Sequence, residues 1–282
     1  MRMVISAVIS TVISAVSSAV MRSATSAASL FANVIGIIGV FGVVSVVSLA
    51  HAQSNINVVG QFGGVTGVPP EPWRIIQFDQ AIAPTLYQTR EWDGVSAVQA
   101  QATGSMALLA RPVEVDLNVT PILCWRWRVE DIVKSADMNT KSGDDYAARV
   151  YVAFKLPADQ IDFGLRLKLA IARSIYGDHV PDAALNYVWD NKNPVGHRQF
   201  NAYTDRTQMI VQRSGSQQIG MWMSERVDIL SDVVRAYGSP LAKIHLLAVA
   251  SDTDNTKESI QAGFADLHFV GRDQPCVFPL IK

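Results

Sequence analysis

The sequence from about residue 73 onward predicts a mainly β protein, a two-sheet, jelly-roll-like β-sandwich with one or two short helices. Apolar and polar residues alternate with period two in several short runs, which is typical of strands that bury one face. Turn-forming residues separate these runs, and strands do not alternate with helices as they would in a parallel sheet. Many short strands with few helices favour two packed sheets, most simply a jelly roll.

The predicted strands differ in length but share this alternation. In chain order they are residues 73–78, 85–92, 96–102, 105–115, 121–129, 146–154, 185–189, 208–213, 243–250 and 263–270. In the run that begins at Pro121, Trp125 and Trp127 lie on one face and Arg126 and Arg128 on the other. This strand therefore separates a tryptophan face from an arginine face.

Two segments have the features of helices. Residues 163–176 place apolar side chains at helical spacing and are followed by Gly177, as at a helix end. Strict alternation within residues 165–169 leaves a strand there as the alternative. A second short helix is predicted at about residues 226–237, because Gly238 suits its C-cap.

The N-terminal fifth of the chain predicts a secretory signal. An apolar run over residues 34–49 ends in Ala50-His51-Ala52 and a polar segment follows, as at a signal-peptide cleavage site. We therefore expect residues 1–52 to be a signal-peptide region and the protein to be periplasmic or secreted. A signal unit that begins at Met21 favours a mis-called start over residues 1–20. The alternative is an uncleaved anchor in residues 4–20, a stretch barely long enough to cross a bilayer.

The remaining chain is expected to be one domain with a leader. Residues 53–72 are rich in Gly, Asn and Pro and predict a flexible leader, and residues 73–282 predict a single β-sandwich domain. We expect no stable membrane span in this mature part. The whole chain carries 24 Lys+Arg and 25 Asp+Glu, a net charge of −1. The lack of a basic excess argues against nucleic acid as a partner.

Cys124 and Cys276 are the two cysteines. In an oxidising compartment such a pair can form a disulfide. Cys124 lies in a strand-like run, however, where a buried free thiol is equally natural. The sequence leaves both alternatives open.

Arginines beside a tyrosine form the first candidate site. The predicted ligand-binding residues are Arg126, Arg128, Arg149, Tyr151 and Asp145. If the strands at 121–129 and 146–154 belong to one sheet, these arginines and the tyrosine lie on one face. Forked guanidinium donors beside a phenol suit a carboxylate, a phosphate or sugar hydroxyls. The alternative is an internal salt-bridge lattice, with Arg149 paired to Asp144 or Asp145.

The loop over residues 251–256 is the second candidate, a calcium site. Asp252, Asp254 and Asn255 supply oxygen atoms of the kind that Ca²⁺ binds. The loop is not an EF-hand, because the sixth position from Asp252 is Lys257 rather than glycine. Asp, Asn and Thr also favour turns, so a metal-free turn is the alternative.

The sequence assigns no catalytic residue. Glu225, Asp228, Asp144 and Asp145 are the carboxylates considered for a glycosidase pair, which needs two carboxyl groups that face one bond. Nothing in their spacing places two of them together, and such residues more often cap helices or turns. The sequence lacks the nucleophile-elbow, zinc-protease and phosphate-loop motifs. An enzyme is therefore expected less than a binding protein.

Several segments together resemble the bacterial exported-protein family known as domain of unknown function 3047. They are Leu123-Cys-Trp-Arg-Trp-Arg-Val129, Gly143-Asp-Asp-Tyr-Ala-Ala-Arg-Val-Tyr-Val152, Leu185-Asn-Tyr-Val-Trp189, Ser224-Glu-Arg-Val-Asp228 and Asp252-Thr-Asp-Asn-Thr256. The resemblance covers about residues 73–270 and implies no particular activity. The closing run at 262–269 also resembles the last strand of galactose-binding-like and carbohydrate-binding jelly rolls.

The sequence favours a non-enzymatic, exported β-sandwich that binds a carbohydrate or another cell-envelope ligand. The first alternative is a polysaccharide-active enzyme of the glycoside hydrolase or lyase type. The second is a purely structural envelope protein, which an internally paired arginine face would support.

Overall fold

A computed structural model of the protein describes residues 56–63, 67–156, 158–161, 163–176, 180–238 and 243–281. The chain divides into two compact units, Met1–His51 and Ala52–Lys282. The described residues all belong to the second unit. The predicted signal-peptide region over residues 1–52, with its alternative start at Met21, lies outside them.

The described residues form two β-sheets, which confirms the predicted β-sandwich. Sheet A has six strands, and in spatial order five of them are β11 (Met223–Asp228), β6 (Ile122–Val129), β13 (Ser259–Val270), β4 (Val95–Thr103) and β3 (Leu86–Trp92). The sixth strand, β1 (Asn57–Gly60), pairs with the C-terminal end of β13, beyond the residues of β13 that pair with β4. All these pairings are antiparallel.

Sheet B has seven strands among the described residues. In spatial order they are β2 (Arg74–Ile76), β5 (Leu108–Pro112), β12 (Lys243–Asp252), β7 (Tyr146–Lys155), β8 (Ala183–Asp190), β10 (Thr204–Ser214) and β9 (Arg198–Asn201). The β8–β10 pair is parallel and the other pairs are antiparallel.

Aromatic side chains fill the space between the sheets. Trp125 and Trp127 of β6 pack edge to face with their ring centroids 5.4 Å apart. Trp125 also contacts Tyr187 of β8 at 5.6 Å, and Trp127 contacts Trp189 of β8 at 5.7 Å. All four side chains are buried. Burial of each large apolar side chain contributes about 1.5–3 kcal/mol, so this cluster is a major contact between the two sheets.

Two α-helices join the strands in the described part of the chain. α1 (Phe163–Tyr176) lies between β7 and β8 and confirms the helical prediction for this segment. α2 (Ile229–Tyr237) is preceded by Asp228, whose side chain accepts a hydrogen bond from the Ser231 amide. Gly238 follows with a φ of 73°, the left-handed C-cap that the sequence predicted. α2 is shorter than predicted, because residues up to Asp228 pair with β6 as a strand.

The predicted strands are all present, with small differences at their ends. The sequence reasoning missed three short strands, β1, β9 and β11. β1 lies within residues 53–72, where a flexible leader was expected, and it pairs with β13. Val59 and Phe62 of this segment are buried, so its apolar side chains anchor it to the domain.

None of the helices among the described residues has both the length and the apolar character that a membrane span requires.

Candidate functional site

The predicted arginine face does not exist as one surface, because the two strands that carry its residues do not belong to one sheet. β6, with Arg126 and Arg128, belongs to sheet A, whereas β7, with Arg149 and Tyr151, belongs to sheet B. The apolar faces of both strands are buried between the two sheets. Their polar faces must therefore point away from each other, onto the two outer faces of the sandwich.

Arg128, on the outer face of sheet A, is enclosed by two carboxylates and two indole rings. Its guanidinium lies 2.6 Å from an Asp93 oxygen and 2.7 Å from a Glu130 oxygen. It also stacks over the Trp92 ring at 4.5 Å and lies 5.8 Å from the Trp222 ring. Its side chain is buried by these partners.

Arg126 lies on the same outer face and forms a buried ion pair with Asp266. The guanidinium also lies 5.6 Å from the Phe278 ring, which belongs to the C-terminal tail over residues 271–281. Burial raises the pKa of Asp266, and the Arg126 pairing opposes that shift. Arg126 therefore helps to hold the tail against sheet A.

Arg149, on sheet B, is surrounded by oxygen atoms. Its Nη2 lies 2.8 Å from an Asp252 carboxylate oxygen and donates to the Asp144 carbonyl, while Nη1 donates to the Tyr151 hydroxyl at 2.5 Å. The guanidinium also stacks over the Tyr146 ring at 4.3 Å. Burial raises the pKa of Tyr151 to about 12, so the phenol stays protonated at neutral pH.

All three arginines therefore have carboxylate partners inside the protein. This arrangement matches the internal salt-bridge lattice that the sequence left as the alternative, although Arg149 pairs with Asp252 as well as with Asp144. The ligand-binding role of Arg126, Arg128, Arg149, Tyr151 and Asp145 stays a prediction.

Asp145 holds the predicted calcium loop in place. Its carboxylate accepts hydrogen bonds from the Thr256 amide at 2.6 Å and from the Asn255 amide at 3.3 Å. The Asn255 side chain also donates to Asp145 through Nδ2, at 3.2 Å, and its Oδ1 accepts from the Tyr203 hydroxyl at 3.3 Å. Asn255 thus acts here as a donor to a carboxylate.

Carboxylate oxygens of Asp145, Asp252 and Asp254 all lie within 4.8 Å of one another. Burial raises the pKa of Asp252 and of Asp254, and the charge of Asp145 raises both further, while Arg149 opposes the shift. Oxygen ligands at this separation suit Ca²⁺, which takes six to eight of them at about 2.3–2.6 Å. We name Asp145, Asp252 and Asp254 the acidic cluster.

The carboxylates considered for catalysis lie in two groups, Glu225 and Asp228 on β11 of sheet A and Asp144 and Asp145 directly before β7 of sheet B. Glu225 of β11 accepts hydrogen bonds from the Trp127 indole at 2.9 Å and from Arg213 at 2.5 Å, so it belongs to the sandwich interior. Asp228 caps α2 and pairs with Arg272. Asp144 precedes β7 on the other sheet and accepts from the Asn201 side chain at 2.9 Å. Each carboxylate has a structural partner, and catalytic roles for them stay predictions.

Cys124 and Cys276 form a disulfide, which decides the question that the sequence left open. The bond fastens the C-terminal tail to β6 on the outer face of sheet A. His268 lies beside it and opposite Cys124 in the β6–β13 register. Burial lowers the pKa of this histidine, which therefore stays neutral at physiological pH.

Sequence reasoning missed a cavity of about 320 Å³ on the outer face of sheet A. Its lining combines amide, hydroxyl and carboxylate side chains with Ala102 and Ile260, and apolar atoms make up more of its accessible surface than polar atoms do. The lining residues are Gln101, Ala102, Thr103, Glu130, Asp131, Ser259, Ile260 and Gln261. We call this cavity the glutamine groove. The alternation of Gln99, Gln101 and Thr103 along β4 was a usable signal, because it marks an outward polar face.

The register of β4 and β13 builds the glutamine groove. Gln101 is paired with Gln261 across these strands, and Thr103 is paired with Ser259. Ala100 and Ala102 of β4 face the core, so the side chains between them must face outward. The segment after β6 contributes Glu130 and Asp131 to the lining. The Glu258 carboxylate, just before β13, accepts from the backbone amides of Lys134 and Ser135 and so holds this segment beside the groove.

The class of protein defined by this architecture is a two-sheet β-sandwich with a polar groove on one outer face. The chain belongs to the family described as "Protein of unknown function (DUF3047)", whose model matches residues 71–268. This membership confirms the resemblance found in the sequence. No curated protein matches the chain.

The solved structures similar to this chain include enzymes of glycoside hydrolase family 12. A native family 12 xyloglucanase from Bacillus licheniformis is 9% identical, with coverage of 76% of this chain and 90% of that chain and a TM-score of 0.33. Endoglucanase 3 of Trichoderma harzianum is 9% identical, with coverage of 72% and 99% and a TM-score of 0.29. Similarity this low supports no statement about activity.

Proposed function

We propose that this protein is an exported, periplasmic or secreted β-sandwich that binds a carbohydrate of the cell envelope in the glutamine groove. The observation that carries the proposal is the groove itself, a cavity of about 320 Å³ lined mainly by uncharged polar side chains and carboxylates. This volume is at the lower end of the range for small-molecule sites, about 300–1,000 Å³, and suits one or two sugar rings.

The chemistry of the groove suits hydroxyl-rich ligands. Each glutamine side chain offers two N–H donors and one carbonyl acceptor, and each threonine or serine hydroxyl both donates and accepts. The Gln99 side-chain amide donates to the side-chain oxygen Oε1 of Gln261 at 3.2 Å, which leaves the N–H groups of the Gln261 side-chain amide to point toward a ligand. Neighbouring sugar hydroxyls require such mixed donors and acceptors.

An indole lies close to the groove along the same face of β13. Gly263 follows Gln261 by two residues, and a Cβ at this position would lie 2.7 Å from the Trp222 ring. Trp222 is partly exposed and donates its indole N–H to the Trp92 carbonyl at 2.9 Å, which fixes the ring. A fixed, partly exposed aromatic ring beside polar groups provides an apolar surface for a sugar ring.

Retention of the purified protein on a panel of envelope polysaccharides and exopolysaccharides tests the proposal. The double variant Gln101→Ala/Gln261→Ala is expected to lose about 5- to 150-fold in affinity, because two amide groups each contribute about 0.5–1.5 kcal/mol. Gln80→Ala, at an exposed glutamine outside the groove, is the matched control and should bind as the wild type does. Unfolding midpoints of all variants show whether the fold is kept.

Two results would contradict the proposal. Equal retention of the double variant would move the binding site away from the groove. No retention on any polysaccharide would favour the purely structural envelope role, which the internally paired arginines fit. Turnover of a retained polysaccharide would instead support the enzyme alternative.

We further propose that the acidic cluster binds Ca²⁺. The observation that favours it is the convergence of carboxylates from Asp145, Asp252 and Asp254. Ca²⁺ has to compete there with the Arg149 guanidinium, which lies 2.8 Å from an Asp252 oxygen. At 100 times its Kd, a ligand of the folded state raises the free energy of unfolding by about 2.7 kcal/mol. We expect Ca²⁺ to raise the unfolding midpoint, EDTA to reverse the rise and Asp254→Asn to abolish it. Asp205→Asn, at an exposed aspartate, is the control; no Ca²⁺ effect on the wild type would refute the site.

A further inference from the structure

Three ligating side chains meet under the C-terminal tail. The Sγ atoms of Cys124 and Cys276 and a ring nitrogen of His268 all lie within 4.8 Å of one another. The β6–β13 register places Cys124 opposite His268, and the disulfide brings Cys276 to them from the tail. Cys124 and His268 are buried, while Cys276 is partly exposed.

The hydrogen bonds of His268 fix its tautomer. Its Nδ1 lies 2.6 Å from the Asp266 carbonyl, which can only accept, so Nδ1 carries the proton. Its Nε2 accepts from the Val277 amide at 3.0 Å, which agrees with a free electron pair on that nitrogen. A histidine that donates one ring N–H to a backbone carbonyl and presents the other nitrogen has the arrangement usual for a metal ligand.

We propose that reduction of the Cys124–Cys276 disulfide converts this cluster into a zinc site with two thiolates and one imidazole. A dithiol reductant supplies the two electrons and two protons that break the S–S bond, and it leaves as its own cyclic disulfide. Zinc then binds both sulfurs and His268 Nε2, and the two thiol protons pass to solvent. The fourth position is filled by water, because Cys276 lies near the surface.

The distances and the chemistry of the ligands favour zinc. Zn–S bonds of about 2.3 Å at the tetrahedral angle place the two sulfurs roughly 3.8 Å apart, so the freed thiols move little to bind the ion. Thiolate and imidazole select zinc over calcium or magnesium, whereas the acidic cluster offers only oxygen atoms. The Val277 amide must leave Nε2, and the tail is free to make this adjustment once the disulfide is open.

The zinc site would keep the tail in place when the disulfide is lost. Cys276 is the covalent link of the tail to sheet A. Beside it, the Val277 amide donates to His268, and the Phe278 ring lies near both His268 and the Arg126 guanidinium. A metal bridge between Cys124 and Cys276 replaces the covalent one at the same place. Redox conditions would then decide whether a disulfide or a zinc ion holds the C-terminal tail to sheet A.

Titration of the reduced full-length protein with Zn²⁺, and with Co²⁺ as a coloured substitute, tests this inference. We expect one ion per chain, with the visible absorption of tetrahedral thiolate-bound Co²⁺, and no such signal from the oxidised protein. Cys276→Ser should weaken Zn²⁺ binding roughly 100-fold or more, since one thiolate is lost. His268→Gln should weaken it by more than the roughly 10- to 100-fold that loss of a second-shell partner costs, because a direct ligand is lost, and His197→Gln is the matched control.

The wild-type protein alone can overturn the proposal. If the reduced protein loses the near-ultraviolet signal of its buried tryptophans, we expect Zn²⁺ to restore it. Reduced protein that binds no Zn²⁺, or that stays unfolded with Zn²⁺ present, refutes the site. Equal Zn²⁺ binding by Cys276→Ser also refutes it, because the ion would then occupy another site such as the acidic cluster.

Discussion

The two outer faces of the sandwich use polar side chains in opposite ways. Around Arg149 on sheet B, charged groups bind one another and the site is closed. On sheet A, Arg126 and Arg128 are closed in the same way, but the neighbouring glutamine groove keeps uncharged polar groups open to solvent. The arginines that stand out in the sequence therefore stabilise the fold through internal ion pairs, whereas the glutamine side chains of the groove remain accessible to a ligand.

The segments that lie on the two outer faces are also held in place by different interactions. The C-terminal tail on sheet A is fastened by a disulfide that closes a loop with a sequence separation of 152 residues. The loop over residues 251–256 on sheet B is held by the hydrogen bonds of Asp145 and the ion pair of Arg149. The attachment of the tail to sheet A therefore depends on redox conditions, and the attachment of the 251–256 loop to sheet B depends on pH.

Removal of the disulfide should have the strongest consequence for stability. Cys276→Ser is expected to lower the free energy of unfolding by roughly 5 kcal/mol, because a long loop loses its cross-link in the unfolded chain. Denaturant unfolding, with the oxidised, disulfide-bonded wild-type protein as the reference, measures the loss. A change below about 1 kcal/mol would mean that the tail contributes little to sheet A.

Arg149→Ala should destabilise the protein by about 3–5 kcal/mol, since it leaves the buried Asp252 carboxylate without its cationic partner. Denaturant unfolding again provides the measurement, and Arg74→Ala, at an exposed arginine of β2, should change little. If both variants were equally stable, Arg149 would not be the required partner of the buried Asp252 carboxylate.

Gly263→Ala tests the contact between β13 and the indole beside the groove. The added Cβ would lie 2.7 Å from Trp222 and 3.2 Å from both Arg128 and Trp92, so these side chains must move. We expect a loss of about 1–3 kcal/mol together with weaker polysaccharide retention. At Gly63 a Cβ would meet only Ser96, at 3.9 Å, so Gly63→Ala is the control. Unchanged Trp222 fluorescence in Gly263→Ala would contradict the contact.

The acidic cluster should make a smaller contribution, through the pH dependence of the free energy of unfolding. Burial raises the pKa of Asp254 in the folded protein above its ordinary value of 3.8, so the folded state holds this proton more tightly. The resulting stabilisation is present below about pH 4 and is lost as pH rises through the folded-state pKa. Asp254→Asn removes this dependence, so its stability relative to the wild type should increase with pH, by less than about 1 kcal/mol at this partly exposed site. Stability curves from pH 3 to 8 without Ca²⁺ test it, and an opposite slope would contradict the shift.

The local pattern predicted most of the fold, while the partners of each strand could not be read from it. Alternation in β6 correctly separated Trp125 from Arg126, because a pleated strand sends neighbours to opposite faces. The same alternation says nothing about which sheet contains β6 or β7. That depends on the pairing of β6 with β13, whose partners are 133–148 residues apart in the chain, and of β7 with β12, whose partners are 88–106 residues apart.

The candidate site was predictable only in part, for the same reason. Asp252 and Asp254 are neighbours in sequence, but Asp145 joins them through the pairing of β7 with β12. Gln101 and Gln261 are brought together by the β4–β13 register. α2 begins later than predicted, because pairing with β6 outweighs the helical tendency of residues 226–228.

The most direct measurement is a map of backbone amide chemical shifts in the isotopically labelled protein, titrated with oligosaccharides from each polysaccharide of the panel. We predict that the shifted amides cluster at Gln101, Thr103 and Gln261, with smaller shifts near Trp222. Shifts centred on Arg149 and Asp252 would place the ligand on the closed face of sheet B and contradict the account. An absence of shifts with every oligosaccharide would contradict carbohydrate binding itself.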